Sequence, residues 1–112
     1  MITIDALREY GANVDEGLTR CMGNEAMYIR LVSTIPAEDK FNKLKDSIEA
    51  GDLNTAFESA HALKGVTGNL SLTPLYDPLV KITELLRAKK EMDYSDLLTQ
   101  ILEKRDALKE ML

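Results

Sequence analysis

The sequence predicts an all-α fold, an up-and-down antiparallel four-helix bundle carrying short additional N-terminal helices. Three observations lead there. Apolar residues recur at spacings of three and four, β-branched alternation is absent, and glycine and proline fall between the periodic stretches as punctuation. At 112 residues the chain has the length of one domain, and we expect a single unit over 1–112, with the bundle at about 37–112 and N-terminal helices over 1–35 packed on it.

The elements follow in order. A short helix from about Asp5 to Tyr10 stops at Gly11, whose access to positive φ suits a C-terminal cap. A second runs roughly from Asn13 to Met22. After the break at Gly23, Asn24 caps a helix holding Met27, Tyr28, Leu31, Val32 and Ile35, which Pro36 ends or kinks. From Ala37 to Ala50 the apolar positions Ala37, Phe41, Leu44 and Ile48 project nearly opposite the preceding stripe, which places a real break at Pro36.

Gly51 ends that helix and Asp52 caps the next, which runs to about Asn69 with Leu53, Ala56, Phe57, Ala60, Leu63, Thr67 and Leu70 on one side. Thr73 before Pro74 and Asp77 before Pro78 both resemble a cap followed by proline at the first helical position, so the next helix has two possible starts. Its body, with Leu79, Ile82, Leu85 and Leu86, reaches about Lys89. A polar break at Lys90–Asp93 precedes a last helix with Leu97, Leu98, Ile101, Leu102, Leu108 and Leu112. The short connections favour antiparallel neighbours.

Composition narrows the function. Apolar residues at 45% and charged ones at 29% suit a folded globule, and the net charge of −5 offers no attraction to nucleic acid or anionic lipid. One cysteine and one histidine supply neither a disulfide nor a zinc set, so no metal and no cofactor are expected. Met1–Tyr10 has no basic flank followed by an apolar run, and no stretch approaches the roughly 18 apolar residues of a spanning helix. The expectation is a cytoplasmic protein, and a monomer, because each apolar stripe is narrow enough to be consumed by one core.

The single histidine is the chemical focus. At about 100° per residue, His61 lies roughly 120° from the centre of the apolar stripe of its helix, on a second stripe with Asn54, Glu58, Gly65 and Gly68. Each glycine costs about 1 kcal/mol of helix stability relative to alanine. Either they clear space for a partner or a phosphoryl group beside the ring, or they are packing positions for another helix, or Gly68 simply begins the end of the helix. Lys64, three residues on, can bring its ammonium towards an anion on the ring. A lone histidine on a helix is more often a surface residue without a role, and periodicity alone names no reaction.

The stretch Ala60-His61-Ala62-Leu63-Lys64-Gly65-Val66-Thr67-Gly68-Asn69-Leu70 resembles the signature of the histidine-containing phosphotransfer (HPt) domain, a His-x-Leu-Lys-Gly core followed by small residues and Asn-Leu. Gly23-Asn24-Glu25 with Tyr28 is similar to the family's upstream helix start, and Ala50-Gly51-Asp52 to its turn into the histidine helix. The residue after Asn-Leu is usually glycine in this family and is Ser71 here; Pro78 falls inside the family's next helix, where a kink or late start is expected.

The resemblance implies a phosphorelay protein of a two-component system. His61 would accept a phosphoryl group from a receiver aspartyl phosphate and pass it to another receiver, with Lys64 steadying the phosphoryl oxygens and Gly65 giving access. Receiver domains, and a hybrid sensor histidine kinase, are the implied partners, and Mg²⁺ would reside on the receiver. Docking would use Asn54, Glu58, Ala62, Gly65 and Gly68, flanked by apolar contacts from the Ala37–Ala50 helix. Glu58 is more simply a solvated or rim charge, and Asn69 a structural cap. With no Walker-type phosphate loop, the chain is a carrier without ATP-binding or kinase activity. The alternatives are a non-transferring helical module that docks a receiver or kinase through the same face, and an interaction module using Met22 and Met27.

Overall fold

The computed structural model describes residues 1–112 and contains helices and no strand. The helices are α1 (Ile4–Tyr10), α2 (Val14–Arg20), α3 (Glu25–Thr34), a 3₁₀ turn at Ile35–Ala37, α4 (Lys40–Glu49), α5 (Leu53–Asn69), α6 (Thr73–Arg87) and α7 (Ser95–Glu110). The expected all-α bundle is therefore present. α4–α7 form it in up-and-down order, with α5 packed between α4 and α6 and α7 packed on α6.

Local chemistry explains most boundaries. The side chains of Thr3, Asn13, Asn24 and Asp52 accept hydrogen bonds from the amides of Ala6, Glu16, Met27 and Thr55, satisfying the open first turns of α1, α2, α3 and α5. The Thr55 hydroxyl and amide both donate to Asp52 and hold its carboxyl below the usual carboxylate range. Gly11 adopts φ 104° and ends α1 as expected.

Several boundaries differ from the sequence reading. α4 begins at Lys40 rather than Ala37, because Ile35–Ala37 forms a 3₁₀ turn around Pro36 and Glu38 is extended. α6 starts at Thr73 with Leu72 in the cap position, so neither Thr73 nor Asp77 caps it. Pro74 sits in the first turn, where a missing N–H costs nothing. Pro78 is accommodated inside the helix, buried, at the expense of one backbone hydrogen bond to the Pro74 carbonyl. α6 ends at Arg87, two residues short of Lys89, which turns to φ 52°. The core takes Tyr28 and Val32 from α3 and Ile35 from the 3₁₀ turn after it, while Met27 and Leu31 stay exposed; Leu112 lies beyond α7 and is also exposed.

One cluster of 23 buried apolar residues extends from Ile2 to Leu108, so α1–α3 share the core of the bundle. Tyr28 ties α3 to the end of α5. Its ring is fully buried and its hydroxyl donates to the Leu70 carbonyl at 2.7 Å, just past the end of α5. Burial pushes the phenol up to about 12, which keeps it a neutral donor. Gly17 of α2 lies against this ring: a Cβ there would stand 2.5 Å from Tyr28 Cε1. Further out, the Tyr10 hydroxyl donates to the Lys104 carbonyl and joins α1 to α7. The Arg105 guanidinium of α7 lies 5.6 Å from the Phe41 ring of α4.

Replacing Gly17 by Ala should cost about 1–3 kcal/mol in equilibrium urea unfolding, since the buried ring has nowhere to retreat. The gain of about 1 kcal/mol that helix propensity alone predicts would contradict this contact.

Candidate functional site

Helix α5 sets the site by dividing its surface. Ala56, Ser59, Ala60, Leu63 and Thr67 are buried, and three of these are small enough to let α4 and α6 come close. His61 is on the other side and exposed, with Asn54 and Glu58 exposed on the same stripe and Ala62 half-buried beside it. No helix covers the imidazole.

Around the ring the predicted residues separate into distinct surroundings. Lys64 is half-buried, and none of the chain's ion pairs uses it, so its ammonium is free to meet an anion one turn from His61. Gly65 faces open space, with no atom beyond its own helix backbone and chain neighbours within 4 Å of where a Cβ would stand. Gly68 is a packing position instead: Tyr76 of α6 fills that space, its Cε1 2.8 Å from a would-be Cβ. The two glycines thus fall on opposite sides of the alternative left open by the sequence. Asn69 is exposed as the last residue of α5, and the cap position belongs to Leu70.

The end of α5 is held by Arg20 and Glu16, which no sequence signal marks, together with Ser71. Arg20 of α2 donates to the Gly68 carbonyl and pairs with Glu16 at 3.3 Å. Glu16 in turn accepts from the Ser71 hydroxyl at 2.8 Å, and the Asn13 amide donates to the Ser71 carbonyl at 2.9 Å. Ser71 has φ +55°, a left-handed conformation that favours glycine. That requirement accounts for the glycine usual here in the resembling family; in this chain Glu16 compensates a serine. An open polar groove of about 500 Å³ runs alongside, walled by Glu16, Arg20, Lys64, Gly65, Gly68 and Tyr76.

Phe57 was placed on the apolar stripe, yet its half-buried ring reaches the site. It stacks on His61, and Arg87 of α6 lies over it. Spacing could have indicated the Phe57 contact, since the two rings are four residues apart. Nothing local indicated Arg87, which arrives from another helix.

A bundle that buries one face of a central helix and displays a single imidazole beside a free ammonium defines a class: a helical module built to present a histidine. Comparison with protein families matches residues 36–112 to the Hpt domain, and the chain belongs to that family. Comparisons with curated proteins and with solved structures give no match. The protein is thus a histidine phosphotransfer module of the phosphorelay type; Hpt domains are phosphocarriers rather than kinases, and they interact with receiver domains. Helices α1–α3, which hold the end of α5, lie outside the matched residues except for the turn at Pro36–Ala37 that follows them. No helix is long and apolar enough to cross a membrane.

Ser71 gives a test of the clamp. Ser71→Ala keeps the left-handed residue but loses the bond to Glu16, and should be destabilised by about 1 kcal/mol; Ser71→Gly loses the same bond but relieves the backbone and should stay within about 1 kcal/mol of the parent. Thermal unfolding should therefore rank glycine above alanine. The reverse order would contradict the account of this turn.

Proposed function

We propose that this domain is a phosphoryl carrier in which His61 takes a phosphoryl group from the aspartyl phosphate of one receiver domain and returns it to another. The observation that carries the reading is an uncovered imidazole on α5 with an unpaired ammonium at Lys64 and open space at Gly65. A neutral imidazole carries a free nitrogen lone pair and can attack phosphorus without a general base. Phosphoryl transfer passes through a loose transition state, so alignment and charge stabilisation do most of the work.

In this reading His61 is the nucleophile, Lys64 neutralises phosphoryl oxygens by charge-assisted hydrogen bonding, and Gly65 lets the receiver approach. Asn54, Glu58 and Ala62 form the docking rim, with Gly68 contributing through the shape that Tyr76 gives the groove wall. The Mg²⁺ and acidic pocket belong to the receiver. In this reading the domain itself needs no cofactor and acts as a cytoplasmic monomer, with a hybrid sensor kinase as one source of phosphorylated receiver.

The experiment incubates the protein and its His61→Gln and Lys64→Ala variants with phosphorylated receiver domains and Mg²⁺, then reads intact mass and acid lability. The parent should gain one acid-labile phosphoryl group and His61→Gln none. Lys64→Ala should fold normally and transfer roughly tenfold more slowly, the equivalent of about 1.4 kcal/mol. A folded parent that takes no phosphoryl group from any receiver would leave a docking module that has kept the site without the relay.

A further inference from the structure

The imidazole of His61 does not stand free on its helix. Phe57 lies one turn back on the same side, with ring centroids 5.6 Å apart and planes 18° from parallel, an offset-stacked pair. A second helix steadies that pair. The Arg87 guanidinium, in the last turn of α6, sits 5.0 Å from the centroid of the Phe57 ring and is paired with Glu84 at 3.4 Å. The chain His61–Phe57–Arg87 therefore links the exposed imidazole to the α5–α6 packing.

An exposed histidine ordinarily turns freely about χ2, whose energy wells are broad. Stacking narrows that freedom without blocking the chemistry. The lone pair of a neutral imidazole nitrogen lies in the plane of the ring, at right angles to the direction from which Phe57 packs. Phe57 thus covers a face that neither nitrogen uses and leaves the reactive edges open. Leucine at position 57 would fill the same half-buried space but could not set a plane.

We propose that Phe57 is a positioning residue for phosphotransfer: it fixes the plane of the His61 ring so that a nitrogen meets phosphorus in line, and Arg87 holds Phe57 in place from α6. The proposal rests on His61 being the phosphoryl acceptor. In that step the nitrogen lone pair forms the N–P bond while the P–O bond to the receiver's aspartate breaks. The aspartate leaves as a carboxylate, and the proton on the other ring nitrogen stays there until solvent takes it. Phe57 exchanges no atom with the reactants and acts only through the ring it orients.

The test compares the parent with Phe57→Leu, Phe57→Tyr and Arg87→Gln, each checked for folding by circular dichroism. The ring geometry is read from the ring-current shift of the His61 ring protons in proton NMR. Transfer is measured from the phosphorylated receiver that is the fastest donor to the parent, and from phosphoramidate, in which the P–N bond breaks and ammonia leaves.

Phe57→Leu should lose the ring-current shift and accept from the receiver about tenfold more slowly; with phosphoramidate, which can approach from any side, the loss should stay under about twofold. Phe57→Tyr keeps a ring and should stay within about twofold of the parent with both donors. Arg87→Gln should move the His61 ring-proton signals in the same direction as Phe57→Leu. A folded Phe57→Leu that accepts from the receiver at the parental rate, or a Phe57→Tyr as slow as Phe57→Leu, would overturn the positioning role and leave His61 as acceptor. A parent that takes phosphate on His61 from neither donor would overturn the acceptor reading itself, whatever the variants do.

Discussion

Helix α5 must satisfy two opposed demands, and the rest of the fold follows from how it does so. One face has to be buried between α4 and α6, the two helices with which α5 makes its main contacts. The opposite side has to stay bare around His61. Small residues at Ala56, Ser59 and Ala60 let the neighbours pack close on the buried side, so that burial is completed without helices wrapping round to the histidine. The exposure of the imidazole is thus a consequence of where the packing is tight.

A helix bared on one side needs its end secured by other means. The N-terminal helices provide this through Tyr28, whose buried hydroxyl meets the Leu70 carbonyl, and through Arg20 and Glu16, which reach Gly68 and Ser71. These contacts fall within one turn of each other at the C-terminal end of α5. Arg20 and Glu16 also wall the groove beside Lys64, so the segment that stabilises the helix contributes to the surface next to the site. Phe57 and Arg87 do the corresponding work nearer the ring, joining His61 to α6.

Much of this was legible in the sequence because it is local. Asn24 and Asp52 cap the helices they were expected to cap, Gly11 stops α1, and the angle of His61 from the apolar stripe followed from helical periodicity alone. The misreadings came where two local signals competed. Thr73-Pro74 and Asp77-Pro78 carry the same start signal, and only packing decides that Pro78 is buried inside α6. Pro36 marked a break but not the 3₁₀ turn that delays α4 to Lys40. What stayed hidden was contact between elements: Arg87 over Phe57 and Tyr76 against Gly68 join different helices, and Glu16 of α2 compensates a left-handed Ser71 in the turn after α5. The family match over 36–112 is silent on α1–α3, so the clamp on α5 could be found only in the structure.

The central claim is that the two faces of α5 are energetically separate, one holding the bundle and one left for chemistry. Equilibrium urea unfolding of Leu63→Ala and His61→Gln, two substitutions two residues apart on the same helix, tests it directly. Leu63 is fully buried, and its truncation should cost about 2–5 kcal/mol, whereas His61→Gln should lie within about 1 kcal/mol of the parent. A His61 variant destabilised as much as the Leu63 variant would contradict the account, because it would make the histidine part of the core that α5 is argued to keep apart from it.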